Sequence, residues 1–274
     1  MTLVIDAGNT RLKWGIAQPH GWSSLGSVDN DKIGALRITQ WKKLPRPSRI
    51  VGTNVTGESG RSRIEAQVAH WHVRPEWIQA SAEACGVKNN YHVPHTLGAD
   101  RWAAVIAARQ RLLQISSAPP PCLVITAGTT MTISALSSDG VFLGGAIIPG
   151  VMSMRSILAA TTSALTLHLN VGHYAEFPQS TADAIFSGAT DAILGAIRSW
   201  RARLAVKEQI AEREVRMILT GGDAAALQPY LSEAAIVAEH LVLEGIMAIV
   251  LEQTQDGVQS DLFASSSNPY IGSV

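Results

Sequence analysis

The chain is 274 residues long and 46% hydrophobic, and its 22 basic residues are matched by 22 acidic ones. That length and apolar share suffice to bury a large core in one or two domains, while the neutral balance, with no basic stripe interleaved with aromatics, excludes the usual electrostatic footing for nucleic acid. No apolar run reaches the roughly 18 to 20 residues of a membrane span and no basic segment leads the first apolar stretch as in a signal peptide, so the expectation is a cytoplasmic protein with a small-molecule partner and no membrane contact.

In chain order, apolar runs predict strands at 2–7 and 11–17 around a glycine turn and a third strand at 22–28. A helix at 31–41, a strand at 49–53, a helix at 58–71 and a strand at 76–80 follow, and 86–97 reads as a loop over a cleft. An alanine- and arginine-rich helix spans 100–113 and stops before Ser116 to Pro121, whose triple proline is the best domain boundary, giving domains 1–117 and 118–274. Strands at 122–126, 130–136 and 141–148 then repeat the opening pattern. Next come helices at 150–160 and 180–205, a strand at 215–220 and helices near 223–230 and 241–253, with Ser265 to Val274 expected to be poorly ordered. Strands alternating with helices make this an α/β chain with helices on the sheet faces. Cys85 and Cys122 stand in no metal-ligand spacing and read as reduced thiols.

The repeat is sharpest in two segments, Leu3-Val4-Ile5-Asp6-Ala7-Gly8-Asn9-Thr10 and Leu123-Val124-Ile125-Thr126-Ala127-Gly128-Thr129-Thr130. Each is a buried-strand run, then a glycine turn, then hydroxyl or amide side chains. Glycine lets the backbone turn tightly and bring its N–H groups close to an anion, so two facing copies predict a nucleotide clamp. Asp6, ending an apolar strand, is costly to bury unless it holds a cation such as nucleotide-borne Mg²⁺, or hydrogen bonds; Asn9, Thr10 and Lys13 can hold phosphates. The competing reading is an Asx turn before Gly8 with Lys13 merely exposed. Neither G-x-G-x-x-G opening a helix nor G-x-x-x-x-G-K-[ST] is present.

Gly98-Ala99-Asp100-Arg101 heads the next helix, where Asp100 is either an N-terminal capping carboxylate or a base beside a reacting hydroxyl. Arg101 favours the second reading, because a guanidinium recognises a carboxylate in two-pronged fashion and a cap does not need one. Thr220-Gly221-Gly222-Asp223-Ala224 reads equally as a backbone rest for adenosine or phosphate and as an ordinary strand-to-helix turn. His70 with His72, and His92 with His95, lack a third ligand for metal. The apolar stripe Ala184, Ile185, Ala189, Ala192, Ile193 and Ile197 is core or dimer interface.

Together these residues resemble the type III pantothenate kinases of the actin, sugar-kinase and heat-shock-chaperone ATPase superfamily. The matching pieces run in family order: Asp6 to Lys13, Tyr91, Gly98 to Arg101, Ala127 to Thr130, Phe142 to Gly150, Ser180-Thr181 and Thr220 to Ala224. The resemblance implies two duplicated ribonuclease H-like halves facing a nucleotide cleft, and transfer of the ATP γ-phosphoryl group to pantothenate at the first step of coenzyme A synthesis. It assigns ATP phosphate contacts to Asp6, Ala7, Gly8, Asn9, Thr10, Arg11, Leu12, Lys13 and Thr129, with Mg²⁺ held at Asp6 through the nucleotide. Pantothenate contacts fall on Tyr91, Gly98, Ala99, Asp100, Arg101 and Thr181, with Asp100 as proton acceptor. It also implies a homodimer with Tyr91 and Thr181 supplied by different chains. Thr126 departs from the family pattern, which has an aspartate associated with a monovalent cation there; a neutral oxygen binds K⁺ or NH₄⁺ less strongly, which puts cation dependence in doubt. Two alternatives stand beside this reading: a nucleotide-binding regulatory protein with weak or no kinase activity, and a kinase for another small hydroxy acid.

Overall fold

A strand that is apolar at successive positions must be covered on both faces, and β1 (Thr2–Ala7) is such a strand, with Leu3, Val4 and Ile5 fully buried. In the computed structural model, which describes residues 1–18, 21–161, 172–231 and 235–265, β1 is central to a five-stranded sheet. On one side β2 (Arg11–Gln18) pairs antiparallel and carries β3 (Gly21–Asp29) beyond it. On the other, β4 (Arg49–Asn54) pairs parallel, and after helix α1 (Gly57–Val68) the short β5 (Pro75–Trp77) completes the order β3-β2-β1-β4-β5.

The chain then supplies β6 (Glu83–Ala84), β7 (Val87–Asn89) and helix α2 (Ala99–Ile115). A second sheet is built from β8 (Cys122–Thr126), β9 (Thr130–Leu136) and β10 (Val141–Pro149), with β9 antiparallel to both of its neighbours. Helices α3 (Val151–Thr161) and α4 (Thr181–Glu208) lead to β11 (Arg216–Thr220), and α5 (Ala224–Leu227) to β12 (Ile236–Val237); both strands run parallel to β8. The order β12-β11-β8-β9-β10 is the first sheet's order again, with β7 and β6 added at the β10 edge. Two sheets with one strand order are the duplicated ribonuclease H-like halves of an actin-like ATPase fold.

Alternation along the central strands decides what faces what. Leu3 and Ile5 pack outward with Trp14, Trp41 and Trp71, and Leu123 and Ile125 pack outward with Ile193 and Ile197 of α4. Val4 and Val124 point the other way, Val4 onto Ala103 of α2 and onto Leu243 and Ile246 of helix α6 (Leu241–Ser265), Val124 into the core built by Trp102 and Val105 of α2 with Leu241 of α6. The α2 and α6 pair is thus common cover for both sheets, and α2 is buried at every position from Arg101 to Ala108. The two helices cross so closely that a Cβ at Gly245 would stand 1.8 Å from the Ala103 carbonyl oxygen, which leaves room for glycine only. By the same alternation Asp6 shares the face of Val4, and Thr126 that of Val124.

Some elements differ from the sequence expectation. The expected helix at 31–41 is a 3-10 helix, Asn30–Ala35, followed by turns; Ile33 and Leu36, three apart, eclipse into the tryptophan core, a spacing that 3-10 geometry serves. The expected loop at 86–97 contains β7 and a 3-10 turn, because the β10 edge offers Val141 and Phe142 as pairing partners. The helix expected at 223–230 stops after one turn and continues as a 3-10 turn with Pro229 in it. Helix α6 runs to Ser265 rather than 253, and the expectation for the tail lies, from residue 266, outside the described residues. β6 and β7 join the second sheet from ahead of the triple proline, and α6 returns to cover the first sheet, so packing crosses the 117/118 division in both directions. Among the described residues no helix is long and apolar enough to cross a membrane, and both cysteines are free.

Candidate functional site

The two glycine turns are alike beyond their letters. From Leu3 to Thr10 and from Leu123 to Thr130 burial follows one pattern, position by position: three buried residues, a half-buried Asp6 or Thr126, a buried alanine, a half-buried glycine, then two exposed polar residues. The tips meet, Thr10 Oγ1 lying 2.5 Å from Thr129 Oγ1. Behind the first tip, Asn30 donates from Nδ2 to the carbonyls of Gly8 and Asn9 at 2.9 and 2.8 Å. Behind the second, the Thr129 carbonyl accepts from Gly150 N–H at 2.9 Å and from the Ser153 hydroxyl at 2.6 Å.

Asp6 pairs in register with Lys13 on β2 and with Thr53 on β4. The fully buried Thr53 donates its hydroxyl to Asp6 Oδ1 at 3.1 Å. Burial foremost, and then repulsion by Asp100, lift the Asp6 carboxyl from its ordinary 3.8 to about 6, against the pull of Lys13 and of the Thr53 hydrogen bond. Asp6 feels the charge of Asp100 because the inward face of β1 looks at the head of α2. Asp100 is itself raised, chiefly by burial, while the Arg101 amide at 2.8 Å from its Oδ1 and the Arg101 charge draw it back. Two carboxylates in one desolvated space are the arrangement that invites a cation. Among the described residues no three His, Cys, Asp or Glu side chains form a metal cage, so a divalent ion here would complete its oxygen shell from phosphates and water, as Mg²⁺ does. In the second half Thr126 has Thr220 and Thr132 where Asp6 has Thr53 and Lys13, so that half carries no charge at the equivalent place.

One residue further along α2, Arg101 is 6% exposed and forms no salt bridge among the described residues. Its Nη1 donates to Tyr91 Oη at 3.0 Å and its Nη2 to Ser134 Oγ at 3.3 Å, with Phe142 5.7 Å beneath the guanidinium carbon and 5.5 Å from the Tyr91 ring. A Cβ on Gly145 would stand 2.7 Å from Nη2 and 1.9 Å from the Ile133 carbonyl oxygen, so glycine there makes the slot for the guanidinium. A desolvated guanidinium held only by neutral groups suits an incoming carboxylate.

Not every expected residue joins this group. Ala7 and Leu12 are fully buried in the tryptophan core and leave only backbone atoms for a ligand. Arg11 turns to β3, its Nε 3.2 Å from Asp29 and its Nη2 3.0 Å from Ser27 Oγ. Thr181 is exposed at the head of α4, next to the capping Ser180, and no hydrogen bond links it to Tyr91, Asp100 or Arg101. Gly98 is the residue before α2 and Ala99 its first. Asp223 precedes α5 without a side-chain cap bond, and its backbone N–H donates to Ala127 at 3.1 Å, seating that turn against the second hairpin. The expectation had missed Asn30, Thr53, Ser134 and Ser153; the one local signal was a polar side chain within or just beyond an apolar strand. A cavity of about 840 Å³ lies elsewhere, between the C-terminal half of α2 and the first half of α6, but its Arg111 is paired with Glu244 at 2.6 Å and its Glu252 accepts the Cys85 amide at 2.6 Å.

The family model described as type III pantothenate kinase matches residues 2–203. A relative of that name from Nitrosospira multiformis is 39% identical over 256 residues, covering 93% of each chain, and one from Aromatoleum aromaticum is 40% identical, covering 92% of this chain and 98% of its own. A solved structure from Campylobacter jejuni, described as a Baf family member, superposes with a TM-score of 0.59 at 21% identity, over 92% of this chain and 99% of its own, and shares the fold. The matched span contains both hairpins, the head of α2 and the Arg101 slot, and on that extent and identity the chain belongs to the type III pantothenate kinase family.

Proposed function

We propose that this chain is an ATP-dependent pantothenate kinase acting at the first step of coenzyme A synthesis. The carrying observation is that the two hairpin tips meet at Thr10 and Thr129 while Asp6, behind them, lies within reach of the Asp100 charge at the head of α2, beside the Arg101 slot. The primary hydroxyl oxygen of pantothenate attacks the γ-phosphorus of ATP, the bond from that phosphorus to the β–γ bridging oxygen breaks, and ADP and 4′-phosphopantothenate result. Asp100 accepts the hydroxyl proton; its desolvation makes it a stronger base than an exposed aspartate. Arg101, steadied by Tyr91 and Ser134, pairs with the pantothenate carboxylate and so sets the hydroxyl's position. The turn amides, with Asn9, Thr10, Lys13 and Thr129, hold the phosphates. Asp6 would hold Mg²⁺ carried by the nucleotide, which would supply positive charge against the negative charge developing on the phosphates. Thr126 offers a neutral oxygen, so K⁺ or NH₄⁺ is not required in this reading. A homodimer in the cytoplasm completes it, with Thr181 reaching the acceptor site from a second copy.

The test is ADP release with pantothenate and its near analogues as acceptors, using the parent chain and Asp100→Asn. Release with pantothenate that Asp100→Asn abolishes, while ATP still binds, is the expected result. Normal turnover by Asp100→Asn overturns the base assignment, and release only with a different acceptor overturns the substrate.

A further inference from the structure

Amide N–H groups hold a phosphate only if they point at it. In a trans peptide unit the N–H points opposite to the C=O. Fastening a carbonyl on one side of a turn therefore aims the following residue's amide to the other side. Asn30, the first residue beyond β3, fastens three carbonyls of the first tip: its Nδ2 takes Gly8 and Asn9, and its own N–H takes Thr10 at 3.0 Å. The Gly8 and Asn9 carbonyls share their peptide units with the N–H groups of Asn9 and Thr10, which donate to no partner among the described residues. Asn30 is in turn anchored by Arg63, whose Nη2 donates to its carbonyl at 2.7 Å, and its own Oδ1 is buried without a partner. Only the amide NH₂ group is in use, which is why an aspartate of the same shape would not serve.

The second tip repeats the device with other groups. Gly150 N–H and Ser153 Oγ, just beyond β10, fasten the Thr129 carbonyl and so turn the Thr130 amide the opposite way. We propose that Asn30, and Ser153 in the second half, are positioning residues of the nucleotide site: they aim the tip amides at the phosphates without touching the nucleotide. This rests on the ATP reading above.

The experiment is calorimetric titration of the full chain with ATP, ADP and adenosine, for the parent, Asn30→Asp, Asn30→Ala and Ser153→Ala, with steady-state kinetics alongside. Loss of the fastening should raise the Kd of ATP and ADP about tenfold, the size of one net hydrogen bond, leave adenosine within about twofold, and fall on the KM for ATP rather than on that for pantothenate. Equal weakening of all three ligands, or unchanged ATP affinity in folded variants, overturns the proposal; if both Asn30 variants fail to fold, Ser153→Ala decides it by the same criteria. A parent chain that takes up no ATP overturns the nucleotide reading and this inference with it, whereas normal ATP binding by parent and variants alike overturns this inference alone.

Discussion

Replacing Asp6 by asparagine should make the ligand-free protein more stable while removing its activity. The Asp6 carboxyl is lifted from 3.8 to about 6, first by burial and then by Asp100, so the folded chain holds a proton there that the unfolded chain has already lost. The sign follows: the penalty is absent below pH 4, grows as pH rises through the window between the two values, and is fully present above about 6. A shift from 3.8 to about 6, at about 1.4 kcal/mol per unit, corresponds to about 3 kcal/mol. Asparagine keeps an oxygen to accept the Thr53 hydroxyl and carries no charge to repel Asp100. Thermal melts of parent and Asp6→Asn from pH 4 to pH 8, without nucleotide, should show the variant melting higher by on the order of 5 °C at pH 8, with the gap closing toward pH 4. A variant that melts lower at pH 8, or a gap that does not change with pH, would refute the placing of two repelling carboxylates in one desolvated space.

Gly145→Ala should push the Arg101 guanidinium from its slot, costing about 1 to 3 kcal/mol of stability in a denaturant titration and raising the KM for pantothenate more than that for ATP; an unchanged pantothenate KM would separate the slot from substrate binding. Thr126 carries no charge, so the parent should turn over alike with and without K⁺ at fixed Mg²⁺; Thr126→Asp places a carboxylate on the inward face of β8, as Asp6 stands on β1, and should gain a K⁺-dependent rate. A parent that already requires K⁺ would contradict the reading of Thr126.

Local chemistry carried much of the fold. The runs around Asp6 and Thr126, the turns at Gly8 and Gly128, the head of α2 and the succession of strands along each half follow from apolar period and turn residues that act within a few positions. Where the expectation failed, long-range partners or eclipsed packing decided the outcome. β7 exists because β10 has an open edge, and the 3-10 helix of Asn30–Ala35 exists because Ile33 and Leu36 reach one tryptophan cluster.

The site divides in the same way. The sequence by itself determined that Asp6, Asp100 and Arg101 stand at a strand end and a helix head, since alternation and helix-start signals are local. Only the tertiary structure decided that the Asp100 charge bears on Asp6, that Thr53 grips one carboxylate oxygen, that Asn30 fastens the first turn from behind, and that Arg11 faces Asp29 instead of the tips. Each of those contacts is set by strand register or by the packing of α2 between two sheets, and register couples residues far apart in the chain through the burial of a whole face, which no short window of sequence contains.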